Sequence, residues 1–201
     1  KTDYYYLYVS YGWLGADGGY DIRVFRSSNP DGPFVDAKGQ SAVLTSDADH
    51  SPIGIKMIGN FEFSNLNAEA DFPTYGYVSS GHNSVFYDIK TDKMFNVFHT
   101  RFPYRGESHE LRVHQMFMNE DNWPLVAPHR YAGETIAKVS NTDITGSYQF
   151  VNHEQDITGD IKSTVYINLQ QDGTIAGSVT GTWELTGDYY ANLRMNEVVD
   201  G

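Results

Sequence analysis

Tyr20-Asp21-Ile22-Arg23-Val24, together with the upstream run Tyr6-Leu7-Tyr8-Val9-Ser10-Tyr11, decides how this chain is read, because both stretches have a second copy. Moved forward by 89 positions they fall on His109-Glu110-Leu111-Arg112-Val113 and on Phe95-Asn96-Val97-Phe98-His99-Thr100, so the intervening loops match in length. An internal repeat of this kind sets the architecture before any local propensity does. Further on, Asn29-Pro30-Asp31-Gly32-Pro33-Phe34 and Asn119-Glu120-Asp121-Asn122-Trp123-Pro124 are alike as polar turns leading into another strand. Each unit therefore reads as strand, loop, strand, turn, short strand. In the second unit residues 81–88 and 94–101 flank the polar turn Ile89-Lys90-Thr91-Asp92-Lys93, and residues 111–118 and 124–129 follow. Four antiparallel strands in succession make the blade of a β-propeller. The first unit lacks its innermost strand, because the chain opens too late to supply one. The same pattern also allows a self-contained β-sandwich with accidental self-similarity.

Composition agrees with an all-β protein. Tyrosine (15) and phenylalanine (11) are abundant in a chain of 201 residues, and aromatic side chains suit a pleated, half-buried surface. The net charge of −12 repels phosphate, which excludes nucleic acid as a partner and suits a neutral polymer such as a polysaccharide. With no cysteine there is neither disulfide nor thiolate metal site, and no apolar run is long enough to span a membrane. Lys1-Thr2-Asp3-Tyr4 has none of the regions of a signal peptide, and the chain opens within a strand. Two blades cannot close a ring, and an open one exposes apolar faces and strand edges. The expectation is a partial β-propeller, residues 1–131, whose remaining N-terminal blades lie upstream.

After Tyr131 the pattern changes to short strands separated by Gly and Asp-Gly turns: residues 146–150, 163–169, 174–179, 181–185 and 189–199. Residues 132–201 are expected to form an accessory antiparallel barrel or sandwich, itself cut short.

His82, in Ser80-Gly81-His82-Asn83-Ser84, stands at the start of the expected inner strand, where side chains line a propeller's channel. A four-residue hairpin turn pairs Asp88 with Lys93 and sets His82 opposite His99, where the two could share a metal or orient a substrate. His109 and His114 lie on one strand at odd spacing, so they face opposite ways and cannot join in one zinc site. His50, His129 and His153 read as solvated. Asp17, Glu107 and Glu110 lie in or beside loops where a glycosidase carboxylate could sit, although the Asp17 segment reads equally well as a tight turn. Among the aromatics that could stack on sugar rings, Tyr11 and Trp13, beside the glycine-rich loop, lead Tyr75, Tyr77, Phe102 and Tyr104.

The stretches Tyr4 to Gly12, Ala16-Asp17-Gly18-Gly19-Tyr20, Arg23-Val24-Phe25-Arg26-Ser27, Gly81-His82-Asn83-Ser84, His99-Thr100-Arg101-Phe102-Pro103 and Arg112 to Asn119 resemble the endo-α-1,5-L-arabinanases of glycoside hydrolase family 43. The likeness is closest to bacterial members with a C-terminal β-domain, specific over residues 1–131 and weaker beyond. It implies a secreted glycosidase that hydrolyses arabinan or arabino-oligosaccharides with inversion, at one end of a five-bladed channel. A calcium held there by a histidine and waters is part of that implication. The family's metal-binding histidine maps onto His82, whereas its catalytic base, its pKa-tuning aspartate and its general-acid glutamate belong to earlier strands and map onto no residue here. Catalytic residues are thus expected outside this sequence, leaving Trp13, Tyr11 and His99 as substrate contacts. The alternative is a noncatalytic carbohydrate-binding propeller module, and a third possibility is a structural propeller with no affinity for sugars.

Overall fold

The structure, a computed structural model, describes residues 2–64 and 74–196. Its strands are β1 (Tyr5–Tyr11), β2 (Asp21–Ser27), β3 (Ile55–Ile58), β4 (Phe61–Ser64), β5 (Thr74–Asp88), β6 (Lys93–Arg101), β7 (His109–Met118) and β8 (Pro124–Val126). A single helical turn, α1 (Asn141–Ile144), precedes β9 (Gly146–Phe150), β10 (Lys162–Ser163), β11 (Val165–Leu169), β12 (Thr174–Gly177), β13 (Gly181–Leu185) and β14 (Ala191–Met195). The chain is all-β in character and divides into two compact units, residues 1–131 with 153–162, and residues 132–152 with 163–201. The boundary at 131 expected from sequence is thus crossed once more, by a ten-residue segment that belongs to the first unit.

In the first unit β1, β2 and β3 form one antiparallel sheet, and β4 to β8 form a second in chain order, with β10 outside β4. The repeat survives as geometry. Each of the seven residue pairs of β1 and β2, from Tyr5↔Ser27 to Tyr11↔Asp21, becomes a pair of β6 and β7 when both members are moved by 89 positions, from Met94↔Met116 to Thr100↔Glu110. The ion pair repeats too, buried in the first copy and with a half-exposed carboxylate in the second. Arg23 binds Asp21 two residues before it at 2.8 Å, and Arg112 binds Glu110 likewise at 2.6 Å. The polar turn after β2 departs from expectation: it leads to isolated bridges at Val35, and the third strand of this sheet is β3, which begins only at Ile55. Asp36 explains the detour, since its carboxylate accepts from the amides of Lys38, Gln40 and Gly54 and winds the intervening loop around itself.

The first sheet packs one face on the second. Ser10 and Ile22 are cross-strand partners, Tyr20 and Val24 share their side, and β5 covers that face: the His82 amide donates to the Ser10 hydroxyl, and Gly81 lies against the Tyr20 ring. A Cβ on Gly81 would stand 2.2 Å from that ring, so only glycine allows the approach. Core side chains of this unit include Phe25, Phe61, Phe63, Tyr77, Phe98 and Met116. His153, expected in solvent, is instead covered: its ring meets Phe61 edge-on at 5.3 Å, and burial with the nearby Lys56 cation pushes its pKa down to about 4.

In the second unit β14, β13, β12, β11 and β9 form a five-stranded antiparallel sheet in that order. Period-2 alternation sends Ile167, Leu169, Ile175 and Trp183 to one side, where they pack with Val179, Phe150, Leu185 and Met195. The Gln170-Gln171-Asp172-Gly173 turn closes by a Gly173 amide to Gln170 carbonyl bond of 3.0 Å, with Gly173 at φ 84°. The last strand is shorter than expected, and residues 197–199 of that expectation lie outside the described residues.

Candidate functional site

The hairpin of β5 and β6 builds the site. Asp88 pairs with Lys93 as the turn length requires, but the register shifts twice on the way back, between Ser84 and Gly81 and between Gly81 and Val78. Each shift is a bulge with one extra residue in β5, and each contains a non-glycine residue at φ 51°, His82 in the first and Ser79 in the second. The consequence is that Gly81, not His82, stands opposite His99. His82 is swung out of the ladder and exposed, its ring 6.3 Å from that of His99. A left-handed backbone at a β-sheet histidine is costly, and such strain clusters where a side chain must be aimed.

His99 continues a row of rings, with His109 at 6.1 Å and Tyr20 at 5.9 Å. Burial, reinforced by Arg101 and the two neighbouring histidines, lowers its pKa and keeps its imidazole neutral. His114 faces the other way, as the alternation of β7 requires, and is buried. Among the described residues no group of three or more histidine, aspartate or glutamate side chains is placed to hold a metal ion. A calcium ion takes six to eight oxygen ligands, and the described residues around His82 form no cage of that kind.

Trp13 opens the loop 12–19, which is closed by its own amide on the Gly18 carbonyl at 2.8 Å, and its ring is 68% exposed. Leu14 beside it is 46% exposed, so this loop presents an apolar, aromatic tip to solvent. Tyr11 is placed differently: its ring stacks under the Arg23 guanidinium at 4.7 Å, on the sheet face opposite Ser10. Tyr77 is buried and Tyr75 half-buried, Phe102 is 6% exposed, and Tyr104 is 71% exposed with a backbone φ of 65° and its hydroxyl on Glu62.

The loop carboxylates are committed elsewhere. Glu107 accepts from the Ala16 amide at 2.9 Å and from Arg101 Nε at 2.7 Å, and these donors hold its carboxyl below the usual range. Arg112 does the same to Glu110. A general acid needs the opposite shift, so neither has the electrostatics of a proton donor. Asp17 sits in the tight turn, its carbonyl against Gly159. The structural role of Glu107 was not read from sequence, although a signal existed: it stands 89 positions after Gly18, where the repeated loop exchanges a glycine for a carboxylate.

Residues 128–201 match the family model described as the C-terminal lipocalin-like domain of family 43 glycoside hydrolases. Over 96% of its length the chain is 49% identical to an extracellular endo-α-(1→5)-L-arabinanase of Bacillus subtilis, and over 98% it is 50% identical to one of Thermotoga petrophila. It spans 42% of the length of each. The crystal structure of the Thermotoga petrophila endo-1,5-α-L-arabinanase superposes with a TM-score of 0.90 at 50% identity, over 97% of this chain and 43% of that one. A family 43 glycoside hydrolase from Bacillus licheniformis superposes with a TM-score of 0.87 at 51% identity, over 96% of this chain and 44% of that one.

Proposed function

We propose, from the premise that this chain belongs to glycoside hydrolase family 43 with the endo-α-1,5-L-arabinanases, that it is the C-terminal portion of an enzyme hydrolysing internal α-1,5 linkages of arabinan. The half-identity to arabinanases along nearly the whole chain carries this reading. In it the catalytic carboxylates come from the part of the relatives' length that this chain does not span, the reaction inverts, and the portion described contributes binding surface. Trp13 serves as an aromatic platform for a furanose ring, and His99, held neutral, exchanges hydrogen bonds with sugar hydroxyls. Tyr11 contributes from behind, fixing Arg23 and the strand that leads to Trp13. His82 would give a calcium ion its one imidazole ligand; a bound cation would supply positive charge that orients water and tunes nearby carboxylates. The relatives' description as extracellular supports secretion, and no helix among the described residues is long and apolar enough to cross a membrane.

The two sheets of the first unit are read as propeller blades, and a burial contrast supports this. In the first repeat Ile22 and Val24 are fully buried beneath the second sheet, while their counterparts Leu111 and Val113 are 71% and 42% exposed. The second repeat thus presents a face of the kind the first one buries, suited to an N-terminal blade. Leu111→Asp is expected to leave the thermal unfolding of this chain unchanged and to abolish its association with the N-terminal portion in gel filtration. Association as strong as that of the unaltered chain would contradict the blade reading.

Arabinan hydrolysis tests the function. The chain mixed with the N-terminal portion and calcium should release arabino-oligosaccharides, while the chain alone, the mixture with chelator, and the mixture carrying His82→Ala should be inactive or nearly so. A correctly folded, associated mixture without activity would overturn the hydrolase reading. The exposed Trp13 favours a second reading, a noncatalytic carbohydrate-binding module, which predicts arabinan binding by the chain alone.

A further inference from the structure

Two loops that are equivalent in the repeat, 12–19 and 101–108, meet in the first unit, and one carboxylate joins them. Glu107 Oε1 accepts from the Ala16 amide and Oε2 from Arg101 Nε, while its main-chain oxygen lies 3.2 Å from His109 Nδ1. Every group it touches adjoins a candidate sugar contact: Ala16 is in the Trp13 loop, Arg101 is two residues from His99 on β6, and the His109 ring neighbours that of His99. The bond to Arg101 is buried on one side only: Arg101 is 5% exposed, while the Glu107 side chain is 67% exposed. The guanidinium is fixed by its burial, and it offers Glu107 one charge-assisted bond of 2.7 Å. The loop has another anchor, the Ser79 hydroxyl on the Gly15 carbonyl, but that bond fixes the side of the turn next to the β5 bulge. Residues 158 and 159 pack on Gly19 and Asp17, and the Ala16 amide itself goes to Glu107.

We infer that Glu107 is a positioning residue, which locks the loop presenting Trp13 to the strand presenting His99 and so fixes the spacing between aromatic platform and imidazole. The inference rests on the reading of Trp13 and His99 as sugar contacts. A glycine at this place, as in the first repeat, would leave the two loops unlinked. Two oxygens are needed for two donors, so Glu107→Gln, which keeps the shape and one carbonyl oxygen, satisfies only one of them. The charged Arg101 takes that oxygen, and the amide end is turned towards the Ala16 N–H.

The test combines two measurements on Glu107→Gln. Hydrogen exchange at the Ala16 amide, followed by NMR on the 201-residue chain, should accelerate about tenfold. Affinity for linear α-1,5-arabinohexaose, measured by calorimetry on the chain complemented with its N-terminal portion, should fall about tenfold, as expected for a lost charge-assisted bond. In a Trp13→Ala background the same substitution should cost no further affinity, a non-additivity that a general loss of stability would not produce. Unchanged Ala16 exchange overturns the inference, and so does a full additive loss in the Trp13→Ala background. If Trp13→Ala alone leaves affinity unaltered, the platform reading of Trp13 fails, and positioning of that tryptophan has no functional meaning even where exchange at Ala16 has accelerated.

Discussion

Arg23→Ala is expected to remove about 3–5 kcal/mol from the stability of the first unit, the largest effect of any single substitution considered for this protein. The side chain is 0% exposed, and its guanidinium ties two segments, residues 51–53 and Gln155, to β2. Nε and Nη2 donate to the Asp21 carboxylate at 2.8 and 3.2 Å, Nη1 donates to the Ser51 and Ile53 carbonyls, and Nη2 also reaches the Gln155 carbonyl at 2.8 Å. Truncation leaves Asp21, 1% exposed, without its counter-ion and strips three carbonyls of a donor. The pair is not itself a strong source of stability. Burial outweighs Arg23 in setting the Asp21 carboxyl and holds it above the ordinary carboxylate range, so the folded state tolerates this charge at a cost. The double variant Asp21→Leu with Arg23→Met should therefore recover part of the loss and not all of it, since the carbonyls of Ser51, Ile53 and Gln155 remain unsatisfied. Urea unfolding followed by a first-unit probe, such as Trp123 fluorescence, decides the matter. A loss below about 1 kcal/mol for Arg23→Ala would mean that water replaces the guanidinium, and that the site is less dry than its burial indicates.

The same residue shows what could and could not be read beforehand. The repeat was legible because it rests on period-2 alternation and loop length, both local properties, and its register is reproduced pair for pair between β1–β2 and β6–β7. Asp21-x-Arg23 and Glu110-x-Arg112 were visible as part of it, but their burial was not, since the layers that cover Arg23 come from residues 51–53 and 155. The bulges at Ser79 and His82 were hidden for a related reason. A left-handed φ at serine or histidine leaves no compositional trace, so a regular ladder predicted His82 opposite His99 where the structure has Gly81. His82, His99 and Trp13 are singled out as candidates by turn and strand position. Glu107 was weighed only as an acid, because its partners lie in a loop 91 positions earlier and at the end of the strand that precedes its loop.

Acidification from pH 7 to 5 is expected to destabilise the first unit by several kcal/mol, through two histidines that have no part in the proposed chemistry. His114 is 1% exposed and fully engaged as a neutral ring. Its Nδ1 lies 2.7 Å from the Ala127 carbonyl, which can only accept, so Nδ1 carries the proton and Nε2 accepts from the Tyr77 hydroxyl at 3.0 Å. Tyr77 in turn lies 2.6 Å from the Tyr75 hydroxyl. Burial brings the His114 pKa down to about 4 against the pull of the Ala127 carbonyl, with His129, Arg112 and Arg130 adding to the depression; burial and Lys56 bring His153 to about 4 as well. In the unfolded chain both titrate near 6.5, so unfolding takes up nearly two protons between pH 6 and 5, and stability falls by roughly 2 to 3 kcal/mol per pH unit there. The contribution is complete above the unfolded value and is lost as pH drops towards the folded one. His99, lowered by burial and neighbouring charge, adds in the same direction. Carboxylates held low by their donors, Asp156 among them, act only at more acid pH, and Asp21, raised, opposes them. Urea unfolding of the protein, of His114→Gln and of His153→Gln at half-unit intervals from pH 7 to 5 separates the two sites. Each substitution lowers the starting stability, but the informative quantity is the slope, which should drop by about half in each variant. An unchanged slope in His114→Gln would mean that protonation reverses the Tyr75–Tyr77–His114 chain of hydrogen bonds at little cost, making the buried imidazole a proton acceptor within the fold's working range and not a group that unfolding must release.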